Sequence, residues 1–157
     1  MSELPELTPE MRAAIGQENP PTTFEVTTLG IRTFARAVGY TNPVHFDRDA
    51  ATAAGYPDLL APLGYFGHPI FDPNSTVNEP SDPGAREFPR GLNGGTAVEP
   101  IEPVYAGDIL EASVRIASLE IRQGRLGTML VRVLETTYTR TSDGVVVGRV
   151  RGTRIRY

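Results

Sequence analysis

From Thr96 to Tyr157 the chain reads as one long period-two stretch after another, and this patterning constrains the fold more than any other feature. Thr96 to Val104 reads as a strand, Tyr105-Ala106-Gly107-Asp108 as a turn. Ile109 to Arg122 then alternates, with Ala112, Val114 and Ile116 on one side and Ser113 and Arg115 on the other. Gly124-Arg125-Leu126-Gly127 turns the chain into Thr128 to Thr141, where Met129, Val131 and Val133 share a face. Ser142-Asp143-Gly144 is a hairpin signal, and Val145 to Tyr157 follows as the last strand. Connections this short between strands this long predict an antiparallel meander, which must have one face covered to be stable.

The first half supplies helices for that purpose. Thr8-Pro9-Glu10 has the order of an N-cap, a first-turn proline and a first-turn acid, so a short helix is expected up to Gly16. Thr22 to Thr27 is β-prone. Thr28 opens a helix with Ile31, Phe34, Ala35 and Val38 on one stripe, and Gly39 stands where a left-handed residue ends it. Asp47 or Asp49 caps a small Ala-rich helix ending at Gly55, and Leu60 to Phe66 is expected to open a third, largely apolar helix. From Asp72 to Gly95 the composition turns to Pro, Gly, Asn, Ser and charge, the mark of a long surface loop. The fold class is α+β, with 157 residues forming one domain, residues 1–21 an extension carrying the short helix and 72–95 the loop.

Composition closes off several chemistries. There is no cysteine, hence no disulfide, no thiolate zinc ligand and no thiol nucleophile. All fifteen basic side chains are Arg, so Lys Schiff-base chemistry is excluded too. A formal net charge of −4 disfavours a general nucleic-acid binder, which needs a basic field. Neither a signal-peptide pattern nor an apolar run of membrane-spanning length is present, so a cytoplasmic protein is expected, with no membrane partner. His45-x-Asp47-x-Asp49 has no further ligand cluster, and Asp72 to Pro83 imitates a calcium loop but has Val77 where glycine is obligatory. No metal and no cofactor are expected. Arg149, Arg151, Arg154 and Arg156 read as a solvated or edge-guarding face, with a phosphate clamp as the other reading. His68 reads as structural.

The chemistry-bearing segment is Gly39-Tyr40-Thr41-Asn42-Pro43-Val44-His45, where the chain leaves its second helix. It resembles the Gly-Asp-x-Asn-Pro-x-His signature of the MaoC-like, (R)-specific enoyl-thioester hydratases and dehydratases. Pro103-Val104-Tyr105-Ala106-Gly107-Asp108-Ile109-Leu110 resembles the second landmark of that family, and the likeness runs from about Thr22 to the C-terminus. The resemblance implies a hot-dog fold, a long antiparallel sheet wrapped around a central helix. It implies acyl-CoA or acyl-ACP thioesters as substrates and hydration or dehydration as the reaction. In that chemistry an Asp and a His grip one water, one group deprotonating it while another handles the proton at the α-carbon. A backbone N–H at the start of the central helix takes the thioester carbonyl, a role that falls by position to Leu63 and Gly64.

Tyr40 stands where the family keeps its Asp, and a phenol is a poor base near neutral pH. Three readings of it stay open: a replacement that silences the site, a hydrogen-bond donor to substrate, or an ordinary buried aromatic. His45, placed by Asn42 and the turn at Pro43, is the surviving imidazole or a packing histidine. The chain resembles, within the FAS1-like dehydratase branch, the non-catalytic subunit of a mycobacterial-type hydroxyacyl-ACP dehydratase, including the run Gly55 to Leu63. That implies a dimer with a catalytic MaoC-like partner, with this chain shaping the acyl tunnel. Two alternatives belong to other classes. One is a self-sufficient homodimeric hydratase or hot-dog thioesterase using His45, with Asp47 or Asp49 supplying the missing carboxylate. The other is an acyl- or polyketide-binding module without chemistry.

Overall fold

The computed structural model describes residues 4–70, 72–73, 82–125 and 127–157. Helix α1 (Pro9–Ala14) starts at Thr8, whose hydroxyl accepts the Met11 N–H at 3.2 Å, and the chain then turns at Gly16 with φ +82°. Strand β1 (Thr22–Glu25) leads into α2 (Thr28–Ala37). The cap of α2 is Thr27, one residue earlier than expected, because its hydroxyl is the one that reaches the Gly30 N–H, at 3.0 Å. A 3₁₀ turn (Pro43–His45) and α3 (Arg48–Ala53) follow.

A two-residue strand β2 (His68–Pro69) precedes the long strands β3 (Gly91–Pro100), β4 (Ile109–Gly124), β5 (Gly127–Arg140) and β6 (Val146–Arg156). All six form one antiparallel sheet in the order β2-β1-β4-β5-β6-β3. The hairpin at Ser142-Asp143-Gly144 closes on the Asp143 carboxylate, which accepts the Val145 N–H at 3.0 Å.

Two expectations change. Leu60 to Phe66 forms no helix: Gly64 and Gly67 take φ +83° and +85°, and Ala61 donates instead to Val104 O at 2.8 Å. The apolar run is a buried irregular segment. In addition, β3 starts at Gly91, inside the tract read as loop, and ends at Pro100 short of Val104, its glycines being tolerated by a bulge between Asn93 and Gly95. Most of the middle of that tract, 74–81, lies outside the described residues, as do most of the calcium-like run and Leu126 of the β4–β5 turn.

The inner face of the sheet carries two separate buried clusters. One gathers Ile31, Leu59, Tyr65, Phe66, Leu110 and Val147 under α2 and the irregular segment; the other gathers Met11, Ala14, Ile116, Leu119, Leu130 and Leu134 under α1. A bulge between Ile116 and Ser118 resets the alternation of β4, so that Ile116 and Leu119 both face inward. On β5 the inward residues are Leu130, Arg132 and Leu134, and the apolar trio Met129, Val131 and Val133 lies half-buried on the outer face. Arg132 is tolerated inside because Asp82 pairs with it at 3.2 Å.

Candidate functional site

The end of α2 fixes the geometry of the histidine turn. Gly39 takes φ +80°, and the Tyr40 N–H returns to Ala35 O at 2.9 Å. Asn42 is held extended by Pro43 (φ −65°, ψ 125°), and its Oδ1 accepts the Val44 N–H at 3.2 Å. Asn42 therefore builds the turn and is not part of the cavity wall.

His45 is 7% exposed, and its Nδ1 lies 2.7 Å from Leu60 O. A carbonyl oxygen only accepts, so Nδ1 carries the proton and the neutral ring keeps its lone pair on Nε2. Leu60 reciprocates, donating its N–H to Val44 O at 3.1 Å. The imidazole is thus locked to the segment that replaces the expected helix. The Tyr40 ring packs against it, with centroids 5.3 Å apart and planes at 38°, and Phe46 meets it edge-on at 6.4 Å.

These groups open on a cavity of about 490 Å³ whose wall takes in Tyr40, His45, Leu63 and Gly64. Four of the five residues singled out in the sequence therefore meet in one place. The N–H groups of Leu63 and Gly64 donate to no other described residue, so both are available to an acceptor in the cavity, although no helix stands behind them. Leu63 is 71% exposed and sits at the rim.

Neither Asp47 nor Asp49 belongs to the wall. Asp47 is committed to capping α3, its Oδ1 accepting the N–H groups of Asp49 and Ala50 at 2.8 and 3.0 Å. Among the described residues, the carboxylate that does line the cavity is Glu102, which sequence reasoning missed. It arrives with Tyr56, Phe66, Ile101 and Val104 from separate loops, and no spacing in the chain announces that grouping.

The second landmark turns out to be scaffolding for this wall. Asp108 accepts the Tyr105 N–H at 2.9 Å and pairs with Arg140 Nε at 3.2 Å, while Arg140 also donates to Pro103 O. Burial raises the pKa of Tyr105, whose ring lies 6.0 Å from that of Tyr56. Burial likewise raises Tyr65, with the nearby Thr27 hydroxyl opposing it, and the Tyr65 hydroxyl makes no well-formed hydrogen bond among the described residues. Neither phenol is a base at neutral pH.

His68 lies on β2, 5.6 Å from the Tyr65 ring and outside the cavity wall. The Arg series divides between the two faces: Arg149 and Arg151 pair with Glu99 and Glu135 on the outer face, Arg156 with Asp82 on the inner. No three His, Asp or Glu converge as metal ligands among the described residues, and none of the described helices is long and apolar enough to cross a membrane.

A family model described as the FAS1-like, dehydratase domain region matches residues 13–149. Among sequence relatives, a UPF0336 protein of Saccharopolyspora erythraea is 34% identical over 111 residues, 70% of each chain. Among solved structures, the ChsH1-ChsH2 complex of Mycobacterium tuberculosis has a chain that superposes with a TM-score of 0.73 at 16% identity, covering 94% of this chain and 87% of that one. A chain of the HadBC (3R-hydroxyacyl-ACP dehydratase) complex of the same organism gives 0.65 at 24% identity, covering 90% and 96%. These structural likenesses establish a hot-dog fold.

Proposed function

The chain belongs to the FAS1-like dehydratase family, and from that premise we propose that it is the member of a hot-dog pair that lacks the catalytic acid, shaping the acyl-thioester tunnel beside a MaoC-like partner that carries the Asp-His pair. The observation that carries this reading is the packing at His45. The aromatic ring of Tyr40 occupies the flank where the reaction needs a carboxylate, and the other side of the imidazole is held by Leu60 O. Water addition needs two proton-handling groups at neutral pH, and a phenol does not supply the second.

The free edge of the sheet supports the pairing. β3 is the last strand, all ten of its residues are exposed, and no described strand lies beyond it. A long unprotected edge is a template for strand addition by a second chain. The apolar side chains Leu63, Val98 and Ile101, each exposed, stand beside that edge and give a partner something to bury. The substrate is an acyl-CoA or acyl-ACP thioester, and the setting is cytoplasmic fatty-acyl metabolism.

One observation favours a second reading, a self-sufficient homodimeric hydratase: Glu102 shares the cavity with His45. Hydration of crotonyl-CoA by the purified chain separates the two. The pair reading expects turnover no higher than that of His45→Ala, and turnover only once a MaoC-like partner is added. Robust hydration by the chain alone, lost in both His45→Ala and Glu102→Gln, would overturn it and make Glu102 the second proton-handling group.

A further inference from the structure

A second and larger cavity, about 590 Å³, lies on the inner face of β3, β4, β5 and β6, and the reaction groups do not touch it. It separates the two buried clusters: Val150, packed on the first, and Leu134, a member of the second, both line it. A single domain ordinarily closes its core into one contiguous cluster, and the volume here is that of a ligand pocket.

One side chain, Val98, stands on β3 between the walls of the two cavities. A Cβ on Gly64, in the wall of the His45 cavity, would lie 3.3 Å from Val98 Cγ1, and Val98 pairs in register with Val150 of the second cavity. Pro100 lines the first and Thr96 the second, four residues apart on β3, which is about 13 Å of strand. Gly152 lines the second cavity, paired with Leu134 and Thr96, which line it too. Nothing lies within 4 Å of where its Cβ would be. A side chain there would project into the hollow without a clash at its base.

On the premise of the acyl-thioester reading, we infer that the second cavity receives the distal part of the acyl group, which passes over Val98, and that Gly152 sets how much acyl chain is accepted. The substrates are therefore thioesters of long acyl chains. A short acyl group ends beside His45 and gains nothing from the second cavity.

The test is calorimetric titration of the full chain with two unreactive thioethers, S-butyl-CoA and S-dodecyl-CoA. Wild type binds the dodecyl compound at least tenfold more tightly. Gly152→Phe, shown folded by circular dichroism, loses that preference and binds the butyl compound as before. Thr136→Met, which narrows the same cavity from β5, is measured alongside so that a misfolded Phe variant does not end the experiment. No chain-length preference in wild type, or a preference that survives in both folded variants, overturns the inference and leaves the acyl-thioester reading standing. Failure of wild type to bind either compound overturns both.

Discussion

At the α1 end of the inner face, regular strands meet a helix, Met11, Leu119 and Leu130 interlock, and the nearby charges of Arg132 and Arg156 are matched by Asp82. At the His45 end, the walls are loops, a histidine is buried, the Tyr65 hydroxyl makes no well-formed hydrogen bond among the described residues, and Leu63 stands exposed. The first arrangement spends its residues on packing, and its polar groups are satisfied. The second leaves donors, an orphaned hydroxyl and open volume, which are costly to folding and useful only to something that binds. Stability and function are therefore assigned to opposite ends of one sheet, with a hollow between them.

The largest expected effect tests that separation. Leu130 is 1% exposed, and Leu130→Ala removes a fully packed side chain, costing about 2–5 kcal/mol of unfolding free energy. Urea denaturation measures the loss. S-butyl-CoA affinity in the folded protein should not change, since the His45 cavity shares no wall residue with Leu130. A parallel fall in affinity would mean that the two ends act as one unit.

A second prediction probes the His45 end. A Cβ at Gly30, in the first turn of α2, would collide with the Tyr65 hydroxyl. In an open helix Gly→Ala gains about 1 kcal/mol, but here overpacking costs about 1–3 kcal/mol and wins. Gly30→Ala should therefore destabilise by on the order of 1 kcal/mol. Tyr65→Phe alone should be neutral or slightly stabilising, because it deletes an unpaired buried group, and in that background Gly30→Ala should become stabilising. The sign change in thermal melts is the result to look for. Additive effects would show that the hydroxyl is not what Gly30 accommodates.

What the sequence made legible follows the same division. The α1 cap at Thr8, the turn at Gly39, the cap at Asp47 and the long strands are local patterns, and each forms close to where it was expected. The segment Leu60 to Phe66 misleads because a short apolar run looks alike in a helix and in a buried loop. The decision belongs to Gly67, where a side chain would strike Glu25 O, a contact with a distant strand. The strand at Gly91 to Gly95 was hidden by glycine-rich composition, and only its pairing with β6 makes it β. His45 and Tyr40 were visible through a motif. Glu102 and the cavity at Gly152 were not, because they arise from which loops and strands the topology brings together.

The smallest effect concerns the outer face behind the hollow. Arg115, Glu135 and Arg151 stand directly opposite one another on β4, β5 and β6, and both guanidiniums donate to the Glu135 carboxylate, each at 2.7 Å. This rung crosses the sheet next to Leu134 and Thr136 in the cavity wall, so it ties the strands together behind the hollow. The hydrogen bond from Arg115 holds the Glu135 pKa below its usual value, with Arg151 adding to the effect and burial opposing it. A carboxyl with a lowered native pKa stabilises the fold above its unfolded pKa, and that contribution disappears as pH falls through the native value. Wild type should thus lose urea resistance below the ordinary Glu range, and Glu135→Gln should show a shallower decline there while already being weaker at neutral pH. Since the two Arg side chains are about half exposed, the difference should be smaller than for either core change. Parallel pH profiles for the two proteins would show that the rung is decorative, and that the strands behind the hollow hold together by their backbone pairing alone.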